Sequence, residues 1–249
     1  VKLLITGGAG YVGSALLRRL SVREDIEEIV IYDNLSRSRS ALLAPLPGGR
    51  CHLRLVRADL LDTRSLSRAL EGMEQVIHLA ARVTTPFAHD DLHGFDQVNR
   101  WGAGELGLAI ERSSSVRRVV YASSTAVYGD THGDIASASE QTPAAPVSAY
   151  GHSKWQAERL LDALRVDRDL VILRMGNVSG PAPAARFDSL VNRMVFDAWF
   201  GGRVEVQGSG NQRRALLHIQ TAARALEAAV AGRVASGTYD LVDRSASVL

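Results

Sequence analysis

Two hydrophobic rhythms alternate along the chain. Short runs rich in Val, Ile and Leu, Lys2–Thr6 and Glu28–Asp33 first among them, lack polar alternation and read as strands covered on both faces. His52–Ala58, Gln75–Ala80, Arg117–Ser123 and Leu170–Met175 continue the series. Between them, Val12–Leu20, Thr63–Leu70, Asp96–Arg112 and Tyr150–Arg165 carry apolar positions at helical spacing. This alternation predicts an α/β fold, a doubly wound parallel sheet with helices on both sides.

The rhythm changes after Gly176. Gly180-Pro181-Ala182-Pro183 is turn chemistry, followed by an amphipathic stretch from Phe187 to Phe200 and a predicted short strand, Arg203–Gln207. A helix over Ile219–Val230 and a strand near Gly237–Val242 complete the pattern. The expected organisation is a large domain over 1–175 and a small C-terminal α/β lobe over 176–249, interleaved with it. The Pro-containing segment 129–148 is long enough to be a functional loop.

Composition narrows the class. The 249 residues give room for one large domain, or one domain plus an appendage. Hydrophobic residues at 46% and charged residues at 22% exclude a disordered or collagen-like chain. A net charge of +2 without a Lys/Arg block gives no footprint for nucleic acid or an anionic membrane. Cys51 is the sole cysteine and cannot form an internal disulfide, so a reducing, cytoplasmic setting is expected. The apolar run Val1 to Thr6 is far shorter than the roughly 20 residues of a membrane span, and no signal peptide is read ahead of it. The scattered histidines show no metal-ligand spacing, and Trp101, Trp155 and Trp199 read as packing residues.

Candidate chemistry begins at the first strand end. Gly7, Gly10 and Gly13 stand between a predicted strand and a predicted helix, where glycine lets backbone approach a pyrophosphate and the helix offers free N–H groups. Asp33 closes the second strand, 20 residues after Gly13, where a carboxylate accepts from ribose hydroxyls and repels a 2′-phosphate. NAD is favoured on that ground, while nearby Arg37 and Arg39 leave NADP open. Tyr150 and Lys154 lie four apart on one helix face, so an ammonium there would lower the phenol pKa and make Tyr150 a general base. Ser124, at a strand end, could offer a hydroxyl to the same reacting oxygen.

Together with TGGAGYVGS at 6–14, DNLS at 33–36, ADLLD at 58–62, HLAA at 78–81, SSTAVYG at 123–129, YGHSK at 150–154, RMGNVSGP at 174–181 and GNQRRALLHI at 210–219, these residues resemble one family along nearly the whole chain. It is the extended short-chain dehydrogenase/reductase group, in its NAD-dependent epimerase/dehydratase branch, similar to UDP-glucose 4-epimerase. The resemblance implies a Rossmann-type NAD-binding domain over 1–175 and a substrate-binding lobe over 176–249. It implies that Gly7, Gly10, Tyr11, Val12 and Gly13 approach the pyrophosphate, that Asp33 and Asn34 meet the adenosine ribose, and that Asp59 and Leu60 flank adenine. Leu79, Ala80 and Ala81 would line the middle of the cofactor, with Asn99 supporting it. Lys154 would also hold the nicotinamide ribose, and Asn177 and Arg214 match positions that contact the diphosphate of a nucleotide-sugar.

Within that family the two positions after the Ser/Thr separate chemistries. Dehydratases usually carry an acidic pair there and decarboxylases a Glu, whereas this chain has Thr125 and Ala126. The resemblance therefore implies a nucleotide-sugar 4-epimerase with a transient 4-keto intermediate. A one-way ketoreductase or dehydrogenase of an activated sugar or other hydroxylated metabolite is the alternative, and a non-catalytic dinucleotide sensor the third reading. Departures fall at Arg82–Phe87 and at Gln220-Thr221, both expected to border the sugar pocket. The family also implies a homodimer through helices matching Asp96–Arg112 and Tyr150–Arg165, and further C-terminal helices past the strand matching Tyr239–Val242, where this sequence has only a few residues more.

Overall fold

Strand β1 (Lys2–Thr6) lies at the middle of a seven-stranded sheet in this computed structural model, which describes residues 1–37, 46, 48, 51–83, 91–129, 140–206 and 209–247. Arg39, residues 84–87 and residues 130–139 of the 129–148 loop lie outside the described residues. Parallel pairing joins β1 to β2 (Glu28–Asp33) on one side and to β4 (Gln75–His78) on the other. Beyond them follow β3 (His52–Arg57) at one edge, then β5 (Arg118–Ser124), β6 (Asp169–Met175) and β9 (Gly237–Leu241) at the other. The order β3-β2-β1-β4-β5-β6-β9 reverses direction between β1 and β4, which opens a crevice at their carboxyl ends.

Both faces of this sheet are covered, as the unalternating strands require. Leu4, Val30, Val76, Val119 and Ile172 pack under α2 (Thr63–Leu70), α4 (Gly102–Glu111) and α5 (Ala149–Asp162). Leu3, Ile5, Ile31, Ile77, Val120 and Leu173 pack on the other face against α1 (Tyr11–Leu20) and α7 (Ile219–Val230). Successive strand residues thus feed opposite cores, the period of two that a pleated strand imposes. A one-turn helix α3 (Leu92–Phe95) and a π-helical turn over Asp96–Trp101 lead into α4, which divides the predicted helix Asp96–Arg112.

At Gly176 the chain leaves the main sheet. It forms β7 (Asn177–Ser179), which pairs parallel with β8 (Arg213–His218), and β8 pairs antiparallel with β10 (Arg244–Ser247). None of these three strands is in the sequence reading. The predicted strand Arg203–Gln207 is absent over 203–206, and Gln207 lies outside the described residues. Its alternating valines sit just after the left-handed Gly202 that ends α6 (Leu190–Gly201), and among the described residues no strand pairs with them. Helix α6 buries none of its side chains; Trp199 is 82% exposed and Trp101 56%, so neither is the packing residue expected.

Candidate active site

A cleft of about 1260 Å³ occupies the crevice at the ends of β1 and β4. The turn from β1 into α1 forms its floor. Gly7 holds a left-handed φ of 69°, and a Cβ there would stand 2.6 Å from the Ala80 backbone nitrogen. A Cβ on Gly13 would stand 2.5 Å from the Gly8 carbonyl, so only glycine lets α1 start this close to the strand end. Gly10 caps α1 without any side-chain hydrogen bond, and no acidic residue lies in the first turn. The free N–H groups and positive dipole end of α1 therefore suit an anionic group, which is the fit a dinucleotide pyrophosphate requires.

Tyr11 lines the cleft as well, and its hydroxyl donates to the Gly180 carbonyl at 2.5 Å and accepts from Asn192 Nδ2 at 3.2 Å, tying α1 to the segment after β7. Burial pushes its phenol above the ordinary value.

Asp33 closes β2 with its carboxylate on the cleft, where it accepts from the Ala9 N–H at 3.0 Å and the Leu35 N–H at 2.8 Å. Leu35 turns back with a left-handed φ of 58°. Asn34 Nδ2 donates to Asp59 Oδ2 at 2.9 Å, joining the two acidic positions at that end, with Leu60 beside them. Arg37, one of the two cations that kept a 2′-phosphate open, donates to Asp188 Oδ2 at 2.7 Å and is paired there.

Leu79, Ala80 and Ala81 line the middle of the cleft. Asn99 stands behind them, 1% exposed, and is the one candidate off the cleft wall. Its side chain accepts from the Arg82 N–H at 2.8 Å and donates to the Arg82 carbonyl at 2.9 Å, while also reaching Ser153 Oγ at 2.9 Å. It thereby locks the lining segment to α5.

Ser124, Tyr150 and Lys154 come together at the far end. Ser148 caps α5 by accepting from the Gly151 N–H at 3.0 Å, which sets Tyr150 in the first turn beside Ser124. Burial pushes the Tyr150 phenol up, and the Ser124 hydroxyl and then the Arg186 guanidinium pull it back. Lys154, expected from sequence to lower it further, follows one turn later on the same helix and lines the same cleft. Its Nζ donates to the Ala122 carbonyl at 2.5 Å and lies 4.3 Å from the Tyr121 ring centroid. Burial pulls Lys154 down to about 7, with Glu158 opposing.

Asn177, at the start of β7, and Arg214, on β8, face the same cleft. Arg186 and Asp188 line it too and were missed. The sequence signal for them is only a charged pair in a turn-rich stretch, and their position depends on Asn192 gripping the Arg186 carbonyl at 2.9 Å and the Gly180 N–H at 2.9 Å. Among the described residues, no three His, Cys, Asp or Glu side chains converge as a metal site would need, and no helix is long and apolar enough to cross a membrane.

Comparison with known proteins places these features in company. Residues 3–241 match the family described as NAD dependent epimerase/dehydratase. The dTDP-glucose 4,6-dehydratase of Streptomyces niveus is 28% identical over 248 residues, covering 97% of this chain and 72% of that protein. The UDP-glucose 4-epimerase of Azospirillum brasilense is 31% identical over 191 residues, covering 74% of this chain and 51% of that protein, so this chain spans about half that relative's length. Among solved structures, MoeE5 in complex with UDP-glucuronic acid and NAD superposes with a TM-score of 0.82 at 30% identity, over 100% of this chain and 79% of that one.

Proposed function

This chain belongs to the NAD dependent epimerase/dehydratase family, and on that premise we propose that it is a nucleotide-sugar 4-epimerase, inverting C4 of a UDP-hexose through a transient 4-keto sugar. Gly7, Gly10 and Gly13, with the Tyr11 and Val12 backbone, would hold the cofactor pyrophosphate; Asp33 and Asn34 the adenosine ribose; Asp59 and Leu60 the adenine; and Leu79, Ala80 and Ala81 the middle, backed by Asn99. NAD, when bound, supplies a reversible hydride acceptor for the sugar carbon. Tyr150 takes the C4 hydroxyl proton and gives it back, and Ser124 holds the same oxygen. Lys154 fixes the nearby ribose as a buried cation, and Asn177 and Arg214 take the sugar-nucleotide diphosphate.

The observation that carries this reading is that Thr125 and Ala126, neither of them an acid, follow Ser124. Among the described residues lining the cleft, the carboxylates are Asp33 and Asp59 at the ribose end and Asp188, paired with Arg37 and Arg186. Thr125 and Ala126 follow Ser124, and neither can move a proton at a neighbouring carbon as dehydration would need. Inversion at C4 needs Tyr150 alone for its proton.

The test is incubation of the purified protein and NAD with UDP-glucose. Appearance of the C4 epimer without net reduced cofactor, lost in Tyr150→Phe, is the expected outcome. A 4-keto-6-deoxy sugar would identify a dehydratase, and stoichiometric reduced cofactor the dehydrogenase alternative. The reading also takes the working unit as a cytoplasmic homodimer. Trp101 just before α4, Leu108 on α4 and Leu160 on α5, each roughly half exposed, form an apolar outer surface that supports it.

A further inference from the structure

Helix α5 carries a buried acid that the mechanism above does not use. Glu158 lies one helical turn beyond Lys154 and is 5% exposed. Its carboxylate accepts from Arg174 Nε at 3.0 Å and Nη2 at 2.7 Å, and from the Ser123 hydroxyl. Ser123 on β5 and Arg174 on β6 are register partners, and Asp240 on β9 is the next residue in that row. Arg174 Nη1 donates to the Tyr128 hydroxyl at 2.9 Å, which donates to Asp240 Oδ1 at 2.7 Å. The polar row thus spans three strands beneath the helix that bears Tyr150 and Lys154.

A buried ion pair adds little stability over apolar residues of the same volume. Its neighbour suggests what else it does. Lys2 and Lys154 are the only lysines among 29 Lys and Arg residues. Arginine keeps its proton at any working pH, whereas a buried lysine loses it readily. The groups that act on Lys154 are His78 on β4, Tyr121 on β5 and Glu158 on α5 itself, with Arg174 on β6 and Tyr128 in the turn after β5 joined to it through Glu158. Burial keeps His78 neutral and both Tyr121 and Tyr128 protonated near neutrality, and Arg174 is a cation. Glu158 supplies the negative charge in this set.

We propose that Glu158 is a positioning residue, which bolts α5 to β5 and β6 and keeps the Lys154 side chain a cation in the reacting end of the cleft. The inference rests on the reading of Tyr150 and Lys154 as partners in the proposed reaction. Removing the carboxylate would also leave Arg174 as an uncompensated buried cation, and both changes favour neutral lysine.

The experiment is an NMR titration of the free protein carrying ¹³C-labelled lysine, in which Lys154 is read against Lys2 as an internal reference. Parent Lys154 should titrate near pH 7. Glu158→Gln should move it down by about one unit or more and Arg174→Gln should move it up, while Glu158→Asp, which keeps the charge, should restore the parent value. The alkaline limb of the pH–rate profile should follow the same order. An unchanged Lys154 titration in Glu158→Gln, or activity lost without movement of that titration, would overturn the proposal. Should Glu158→Gln fail to fold, Arg174→Gln decides, because an unchanged or downward shift there contradicts the charge role. Since the titration needs neither substrate nor turnover, failure of the epimerase reading would show instead as an active Tyr150→Phe variant.

Discussion

Arg37 and Asp188 meet on the cleft wall, Nη2 to Oδ2 at 2.7 Å, and so join the segment after β2 to the segment before α6. The pair takes up a cation that would otherwise stand near Asp33, where a 2′-phosphate would lie. Asp188→Asn should release Arg37 and narrow the preference for NAD over NADP. Both side chains are partly exposed, so the pair is worth about 1 kcal/mol or less and the change should stay within about fivefold. Equilibrium binding of the two dinucleotides measures it, and a widened preference would contradict the assignment.

Tyr150→Phe should lower turnover by about 10²–10⁴-fold while leaving dinucleotide binding intact. Arg186→Gln should act on the same phenol with a definite sign. The guanidinium pulls the Tyr150 proton affinity down, so its loss raises it, and phenolate then forms only at higher pH. The acidic limb of kcat/KM against pH should move upward, and a downward move would show that Arg186 does not face Tyr150.

Gly13→Ala should cost about 1–3 kcal/mol and abolish dinucleotide binding, because the new methyl would sit 2.5 Å from the Gly8 carbonyl. Gly201→Ala, which has no atom within 4 Å of a Cβ, should stay within about 0.5 kcal/mol of the parent. Thermal unfolding of the two variants side by side separates close backbone approach from a general intolerance of substitution.

His78 gives a pH dependence of stability that carboxylates do not share. It is fully buried, hydrogen-bonded through Nδ1 to Thr6 Oγ1 at 2.7 Å and stacked on Tyr121, and burial pulls it down to about 3. As pH falls through its ordinary value of about 6.5 the unfolded chain takes up a proton that the native state refuses until near 3. Its stabilising contribution is therefore complete above about 6.5 and drains away below it, by about 2 kcal/mol between pH 7 and pH 5. Denaturant unfolding at those two pH values should show that loss in the parent, and His78→Phe should remove it.

The main sheet was legible because its inner strands are local apolar runs with buried faces on both sides: Lys2–Thr6, Glu28–Asp33 and the helix Thr63–Leu70 fall where the pattern puts them, while the edge strands β3 and β9 bury no residue fully. The small sheet was not. Strand β8 begins with Arg213 and Arg214 and buries only Ala215 and Leu217, so its existence depends on β7 and β10 rather than on its own composition. Residues 203–206 show the converse, a strand-like pattern that pairs with no strand among the described residues. The site candidates other than Asn99 converge on one cleft because glycine turns and strand ends are local signals, while Asp188 and Glu158 gain their places through contacts 16 or more residues away. Lys154 illustrates the same limit, since four-residue spacing sets its helix face but not the Ala122 carbonyl that its ammonium meets.

The central claim is that C4 of the sugar is oxidised and then reduced again at the same carbon, with Tyr150 as the proton carrier. UDP-glucose bearing deuterium at C4 tests it directly. After incubation with the protein and NAD, mass spectrometry and NMR of the recovered nucleotide-sugars should find the C4 epimer with deuterium still on C4. Deuterium at another carbon, released to solvent, or accumulated in free reduced cofactor would contradict the account.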